Sequence, residues 1–460
     1  MSKFVLRITG DQHAQFKSHL FPGDTKEAVA LALCGRLGHR GSEILCVHKI
    51  LPIPYDACRE RTPDRVAWPT NLGQPIFQQA AEKGMGVLKI HSHPAGFDTF
   101  SKYDNIADRN LFGSLNSWMD DARPNASCVM LPDGEMFGRF IDSATQFSQI
   151  NQISVAGDDI QFFRRSKGKA VDEAQLRTTQ TFGEKTTTLL KELRVAVVGC
   201  SGTGSWIIEQ LARLGVGSLY LVDPDIVEFK NLNRIVNSSQ ADALKNRAKV
   251  HAIKAVIQKH GTGTRVEICH DTLFTLTAAC EIASCDVLFG CMDSVEGRDV
   301  LNRIAAFYSL PYFDLGVRLD ADGQGGINNI SGAVHYLIPD GSSLISRGLY
   351  SAETLRQESL KRTNPEQYQS EVAVGYIKGA KVESPAVISV NGFCASMAIN
   401  EFLARLHPFR SANNFESRWQ QFDLMNSCWL QPSDGPKCPI LSKRVGRGDT
   451  QPFLDSLIYA

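Results

Sequence analysis

No stretch of this 460-residue chain holds about 18 consecutive apolar residues, so no segment is expected to span a membrane. Net charge is also missing, with 49 Lys plus Arg against 49 Asp plus Glu. That balance argues against a basic nucleic-acid tail or a polybasic membrane contact, and neither nucleic acid nor membrane is expected as a partner. The N-terminus, MSKFVLRITGDQH, lacks the long apolar region and cleavage site of a secretory signal and reads as a strand. There is no tandem repeat and no low-complexity tract. The 12 cysteines show no disulfide-like framework, and several sit in apolar runs (Cys46, Cys128, Cys200). This usage suits a reducing cytoplasm, the expected location. The length exceeds one ordinary core, so two or three domains are expected.

The expected fold class is α/β throughout. Residues 1–155 alternate short strands with two helical patterns, at 75–83 and 103–118. Residues 128–131 and 136–140 flank a Pro-Asp-Gly turn and read as a hairpin. Residues 156–192 are polar and poor in strand signals; a linker and then a helix from about residue 173 are expected. From Leu193 onward strands alternate with long helices, the pattern of a parallel doubly wound sheet in a domain running over 193–460. The stretch after Gln431 reads as an irregular surface tail.

His91-Ser92-His93-Pro94, followed by Ser101 and Asp104, is the most informative stretch. Residues 85–90 read as a strand, so both imidazoles stand where a strand ends, and alternate strand residues share a face. Two histidines and a carboxylate form a compact ligand set for zinc, which keeps one position open in catalytic sites. His-x-His alone is a common surface pair. The whole string HSHPxGxxxxSxxD is far more specific and resembles the JAMM (MPN/JAB) family of zinc isopeptidases, which remove ubiquitin-like proteins. The resemblance implies zinc on His91, His93 and Asp104, an upstream glutamate as general base and Ser101 as donor to the oxyanion. Glu27 precedes a short apolar run ending near Gly35, as the family glutamate does; Glu43 is a second candidate without that context. The same side chains also fit a JAMM fold kept as an inert docking platform.

Residues 194–199 read as a buried strand, followed by Gly199-Cys-Ser-Gly202-Thr-Gly204 and a helix over 206–214. Glycines at a strand-to-helix turn let backbone amides approach phosphate. The next strand ends at Asp223, an acid able to bind a ribose hydroxyl. On these features alone an NAD-dependent oxidoreductase is a fair reading. The residues that follow shift it: Asp225, Asn231-Leu-Asn-Arg234, Lys249, then Asp293 with Arg298 five residues on. This series resembles the ThiF/MoeB family of adenylating enzymes, which includes activating enzymes of ubiquitin-like proteins, over roughly residues 170–410. The resemblance implies ATP and magnesium. It places Gly199, Gly202, Gly204, Asp223 and Asn231 around the nucleotide, Arg234 and Lys249 on the phosphates, and Asp293 on magnesium. Lys245 is a rival for the lysine role. Arg177, before Phe182-Gly183, matches an arginine that the family lends to a dimer partner's ATP, which implies a homodimer. Arg298 and Asn302 lie one helical turn apart and equally suit bracing of the fold.

The family pattern also fails in places. Many relatives hold a structural zinc with two CxxC pairs. Here the first position is Ser343-Leu-Ile-Ser346, and the second, Cys438-Pro-Ile-Leu441, keeps one cysteine, so no zinc is expected in the C-terminal half. No cysteine lies between Cys291 and Cys394, so the loop around 369–383 offers no thioester nucleophile. Cys394 reads as core, whereas the tail position of Cys438 suggests exposure. Together the two resemblances imply a fusion of isopeptidase-like and activating domains, a type associated with bacterial ubiquitin-like conjugation operons, some of them antiviral. The expected partners are a ubiquitin-like protein and a ubiquitin-conjugating-type enzyme. A scaffold of two inert domains is the non-enzyme alternative.

Overall fold

The computed structural model describes residues 3–165, 172–373 and 385–449. They form two compact units, one of residues 3–165, 306–309 and 440–449 and one of 172–305, 310–373 and 385–439.

The first unit is built on a nine-stranded mixed sheet. Its order is Ile160–Phe163, Gln152–Ala156, Lys3–Thr9, Ser42–Pro52, Val29–His39, Gly86–Ser92, Asn125–Met130, Met136–Ile141, Phe147–Gln149. Strand periodicity divides its core in two. Val29, Leu31, Leu33 and Val87 pack on one face with Phe112 and Leu115, while Ala30, Ala32, Cys34, Leu88 and Ile90 pack on the other with Phe16. Each fully buried Leu or Val stabilises by about 1.5–3 kcal/mol, so a one-residue slip of Val29–His39 would be prohibitive. The strand Ile160–Phe163 pairs antiparallel with Gln152–Ala156, so the sheet continues past residue 155 into the stretch read as linker. A third helix, Gly10–Leu20, adds to the two expected ones, Gln74–Lys83 and Lys102–Met119. Residues 440–449, placed by sequence with the nucleotide half, pack on this unit's sheet: Gly35 N donates to Gly446 O over 2.9 Å. Gly446 has φ +67°, and a Cβ there would stand 1.9 Å from Val47 O, so only glycine permits the approach.

The second unit carries an eight-stranded sheet ordered Arg265–Cys269, Ser218–Val222, Arg194–Val198, Val287–Gly290, Tyr312–Ala321, Ile327–Leu337, Trp419–Asp423, Cys428–Leu430. The first five strands are parallel and the last three antiparallel. The order reverses between Arg194–Val198 and Val287–Gly290, the crevice where open α/β sheets bind ligands. Among the described residues no helix is long and apolar enough to cross a membrane.

Candidate functional sites

The first unit gathers the predicted metal ligands. Gly86–Ser92 carries His91 in its last turn of pleat and pairs antiparallel with Val29–His39, with His91 opposite Val29. That register brings Glu27, two residues before Val29, to the same end of the sheet, and Ala28 N donates to Ser92 Oγ over 2.9 Å. The helix Lys102–Met119 supplies Asp104 from its first turn. His91 Nε2 stands 3.1 Å from His93 Nε2 and 3.1 Å from Asp104 Oδ1. His93 Nε2 lies 3.6 Å from Asp104 Oδ2 and 4.0 Å from Glu27 Oε1. Ligand atoms on a tetrahedral zinc with bonds of about 2.0–2.2 Å lie roughly 3.3–3.6 Å apart, so the donor set fits that ion with little rearrangement. His93 Nδ1 lies 2.7 Å from Phe97 O. Donating there leaves its Nε2 lone pair for the centre of the cluster. Among the described residues, this is the one group of three or more His, Cys, Asp or Glu side chains arranged to hold a metal.

Charge follows the same geometry. Burial pushes the Glu27 carboxyl up to about 8, against the pull of His93. Burial opposes ionisation of Asp104, but hydrogen bonds from His91 and His93 hold it well below the usual carboxylate range. Burial lowers His91, while His93 is raised because its contacts with Asp104, Phe97 and Glu27 outweigh burial. Ser101 is the N-cap of the Asp104 helix: its Oγ accepts from Asp104 N at 3.1 Å, and Asp104 Oδ2 accepts from Ser101 N at 2.7 Å. The hydroxyl proton remains available to donate. Glu43 lies on Ser42–Pro52 opposite Gly38, with Arg36 and Arg123 as its charged neighbours rather than the histidines.

In the second unit, the nucleotide candidates follow the carboxyl ends of adjacent parallel strands. Gly199, with φ +91°, leaves Arg194–Val198; a Cβ there would stand 2.5 Å from Cys291 O. The helix begins at Gly202 rather than at residue 206, so Gly202 and Gly204 lie in its first turn. A Cβ at Gly204 would meet Gly199 O at 1.8 Å, so the glycine is required for packing of the turn itself. Asp223 follows Ser218–Val222 and accepts from Cys200 N at 2.7 Å and from Asp225 N at 2.9 Å. Burial raises its carboxyl, with Lys249 opposing. Lys249 Nζ lies 2.7 Å from Asp225 Oδ2 and 3.8 Å from Asp223 Oδ1. The glycine turn, Asp223 and Lys249 are thus brought together.

The other candidates have local partners or face solvent. Lys245 is exposed at the end of Gln240–Leu244. Asn231 is buried and caps its own turn by accepting from Glu228 N. Arg234 is half-buried and donates to Lys230 O at 2.8 Å. Asp293 is exposed on the loop between Val287–Gly290 and the next helix. Arg177 is exposed near the start of Leu176–Glu192, which breaks at Gly183 (φ 79°). Arg298 is ion-paired with buried Asp314, and Asn302 Oδ1 accepts from Leu344 N, so both brace the fold. One residue went unread in the sequence: Asn391, buried on Ile388–Leu406, packs on Gly202 and accepts from Thr203 Oγ1 at 3.2 Å. An asparagine near the start of an apolar helix was the available signal.

At the first position where relatives hold a structural zinc, two serines close a turn. Ser343 N donates to Ser346 Oγ at 2.8 Å and Ser346 N to Ser343 Oγ at 3.2 Å, so the two serines close the turn reciprocally. Nearby, Asp434 pairs with Arg347 and Arg418. Cys394 is buried, and burial pushes its thiol up to about 12. Cys438 is buried too, at 1% exposure, against the expectation of an exposed tail. Asp434 anchors the segment before it through its pairs with Arg347 and Arg418. Cys428 is half-buried. Residues 374–384 of the loop searched for a nucleophile lie outside the described residues.

Comparison with known proteins bears on the second unit. The chain is 25% identical over 233 residues to the ubiquitin-like modifier-activating enzyme 5 of Drosophila pseudoobscura pseudoobscura, covering 47% of this chain and 57% of that protein. It is 30% identical over 179 residues to the Drosophila melanogaster enzyme of that name, covering 36% and 42%. The matched region thus spans about half the length of these relatives. Among solved structures, E. coli MccB with ATP aligns at 17% identity and a TM-score of 0.45, over 59% of this chain and 74% of that one. The ThiF family model matches residues 173–439, more than half of the sequence, and the chain belongs to the ThiF family.

Proposed function

We propose that this protein adenylates the C-terminus of a ubiquitin-like protein with ATP and magnesium, and that its first unit is a zinc isopeptidase-like hydrolase acting on the same partner. The observation that carries the first part is the Gly199 turn, Asp223 and Lys249 converging beyond the carboxyl ends of adjacent parallel strands. In the reaction a carboxylate oxygen of the partner attacks the α-phosphorus and pyrophosphate leaves. The Gly199–Gly204 turn offers backbone amides to phosphate, and Asp223 faces the ribose. Asn231 orients the phosphates. Lys249 and Arg234 offset charge gathering on the phosphoryl oxygens, where a preformed cation acts most strongly. Asp293 is suited to hold magnesium, which favours carboxylate and phosphate oxygens. Arg177 would serve the neighbour's ATP in a homodimer.

In the first unit, His91, His93 and Asp104 would hold zinc. A zinc ion bound there supplies Lewis acidity and lowers the pKa of bound water. Glu27, 4.0 Å from His93, is the group placed to take a proton from water as general base, and Ser101 is placed to donate to the oxyanion. Membership of the ThiF family and the lysine set beside Asp223 at the glycine turn weigh against an NAD-dependent oxidoreductase, and the gathered His91, His93 and Asp104 weigh against an inert scaffold. The adenylate would pass to a cysteine of a ubiquitin-conjugating-type enzyme. Exchange of labelled pyrophosphate into ATP, dependent on a ubiquitin-like protein, tests the first activity; no exchange with a panel of ubiquitin-like proteins bearing free C-termini overturns it. Cleavage after that protein's tail, lost to a chelator and restored by zinc, tests the second.

A further inference from the structure

Two residues before His91 on the strand and four after Asp104 on the helix lies a second contact of the same kind. Lys89 Nζ donates to Asp108 Oδ1 at 2.7 Å. Lys89 and His91 share a strand face, and Asp104 and Asp108 share a helix face. The pairs His91–Asp104 and Lys89–Asp108 are therefore successive rungs between one strand and one helix. A third side chain locks the lower rung. In the sheet Lys89 stands beside Ser127 and Ser127 beside Arg139, so both cations rise from one row across three strands. Arg139 reaches the other carboxylate oxygen of Asp108, with Nε at 3.2 Å and Nη2 at 2.6 Å. Its guanidinium lies over the rings of Phe100, at 3.8 Å, and Phe147, at 3.7 Å. Phe100 in turn stands 6.4 Å from the His91 ring. All three charged residues are buried, Asp108 completely.

A buried carboxylate between two buried cations is costly to desolvate and is poor evidence for stability as such. Its geometry suits another role. We infer that the Lys89–Asp108–Arg139 cluster positions the metal ligand Asp104, by fixing the height and rotation of its helix over the strand that carries His91. These three are positioning residues, since none reaches the cluster's centre. The inference rests on the zinc reading above. On its own helix Asp104 is held by the cap with Ser101, and it meets His91 at 3.1 Å and His93 at 3.6 Å; a helix free to turn by a few degrees would carry the carboxylate away from His93, the longer of these contacts.

The test uses the full chain, stripped of metal and titrated with zinc against a chelating dye, and separately loaded with cobalt(II) for its visible spectrum. Lys89→Met leaves the neutral Asp108–Arg139 pair in place. It should weaken zinc binding by about 10- to 100-fold, the usual effect of losing an outer partner of a ligand, and alter the cobalt band. Lys89→Arg should restore both. If Lys89→Met does not fold when metal-free, Arg139→Lys, which keeps the charge and gives up the forked contact with Asp108 and the bond to Asn105, takes its place under the same criteria. Wild-type zinc affinity and an unchanged cobalt spectrum in a folded variant overturn the inference, even if its melting temperature falls. A wild-type chain that takes up no zinc, or a His91→Ala chain that keeps it, overturns the zinc reading instead.

Discussion

Lys249 donates to Asp225 over 2.7 Å, yet the two side chains differ sharply in exposure, 7% for the lysine against 65% for the aspartate. The ammonium is fixed in the wall of the turn while its partner faces water. An exposed carboxylate contributes little to such a pair, about 0–1 kcal/mol.

Different outcomes are therefore expected for the two residues. Lys249→Met should slow ATP–pyrophosphate exchange by roughly 100- to 1000-fold, as does loss of one group from a transition-state clamp. Asp225→Asn should change the KM for ATP by at most about fivefold. Asp293→Ala and Arg234→Ala should resemble Lys249→Met while circular dichroism stays unchanged; near wild-type exchange in both would make them structural.

In the first unit, elemental analysis should find about one zinc per chain, held by the two histidines and Asp104. His91→Ala should lose it. Glu27→Gln should keep it and lose hydrolysis, because Glu27 stands 4.0 Å from His93 and outside the ligand set. Loss of metal from Glu27→Gln would make Glu27 a ligand.

Much of this arrangement was legible because local chemistry and tertiary structure agree. The Asp104 helix begins where Ser101 caps it, and the alternation of Val29 to Cys34 matches a strand buried on both faces. Legibility ended where tertiary contacts decide. Gly10–Leu20 buries only Phe16 and Leu20, so its apolar period is faint, and the Thr9–Gln12 capping box was its one clear sign. Cys438 follows a Pro-Lys pair in a stretch that reads as tail, yet it is buried beside a segment held by the Asp434 ion pairs. Lys89, Asp108 and Arg139 are far apart in the chain and look like ordinary surface charges until the sheet register aligns them.

His335 gives a pH dependence whose sign is fixed by its surroundings. It is 2% exposed, and burial lowers its pKa to about 3, with Asp314 opposing and Arg347 reinforcing. Arg347 Nη1 lies 3.2 Å from His335 Nδ1, and a neutral imidazole accepts that bond. The folded state keeps the ring neutral, while the unfolded chain protonates it below about 6.5. Its stabilising contribution is thus present above pH 6.5 and is lost progressively as pH falls toward 3. His335→Gln should flatten the decline in melting temperature over that window; an unchanged slope would assign acid sensitivity to other groups.

Exposure separates the cysteines. Cys394 and Cys438 are buried, and a thiol pushed up to about 12, as at Cys394, is a poor nucleophile. In the native protein both should resist iodoacetamide while half-buried Cys428 is labelled, as read by peptide mass spectrometry. Cys394→Ala and Cys438→Ala should retain pyrophosphate exchange. A thiol-sensitive link to the ubiquitin-like partner that either replacement abolishes would place the thioester in this chain.

The position of Arg177 allows the proposed homodimer to be tested by mixing two defective chains. Arg177 is exposed near the start of Leu176–Glu192, whereas Lys249 is buried beside Asp223. If each ATP site takes Lys249 from one chain and Arg177 from its partner, Lys249→Met and Arg177→Ala chains should each be inactive alone. In a mixed dimer, the site on the Arg177→Ala chain keeps its own Lys249 and receives an intact arginine, while the other site lacks both. Random reassortment makes half the dimers mixed, each with one working site, so exchange should recover to roughly a quarter of wild type. Chains that reassort, as shown by native mass spectrometry, without recovering activity would place Arg177 in its own chain's site or outside the chemistry altogether.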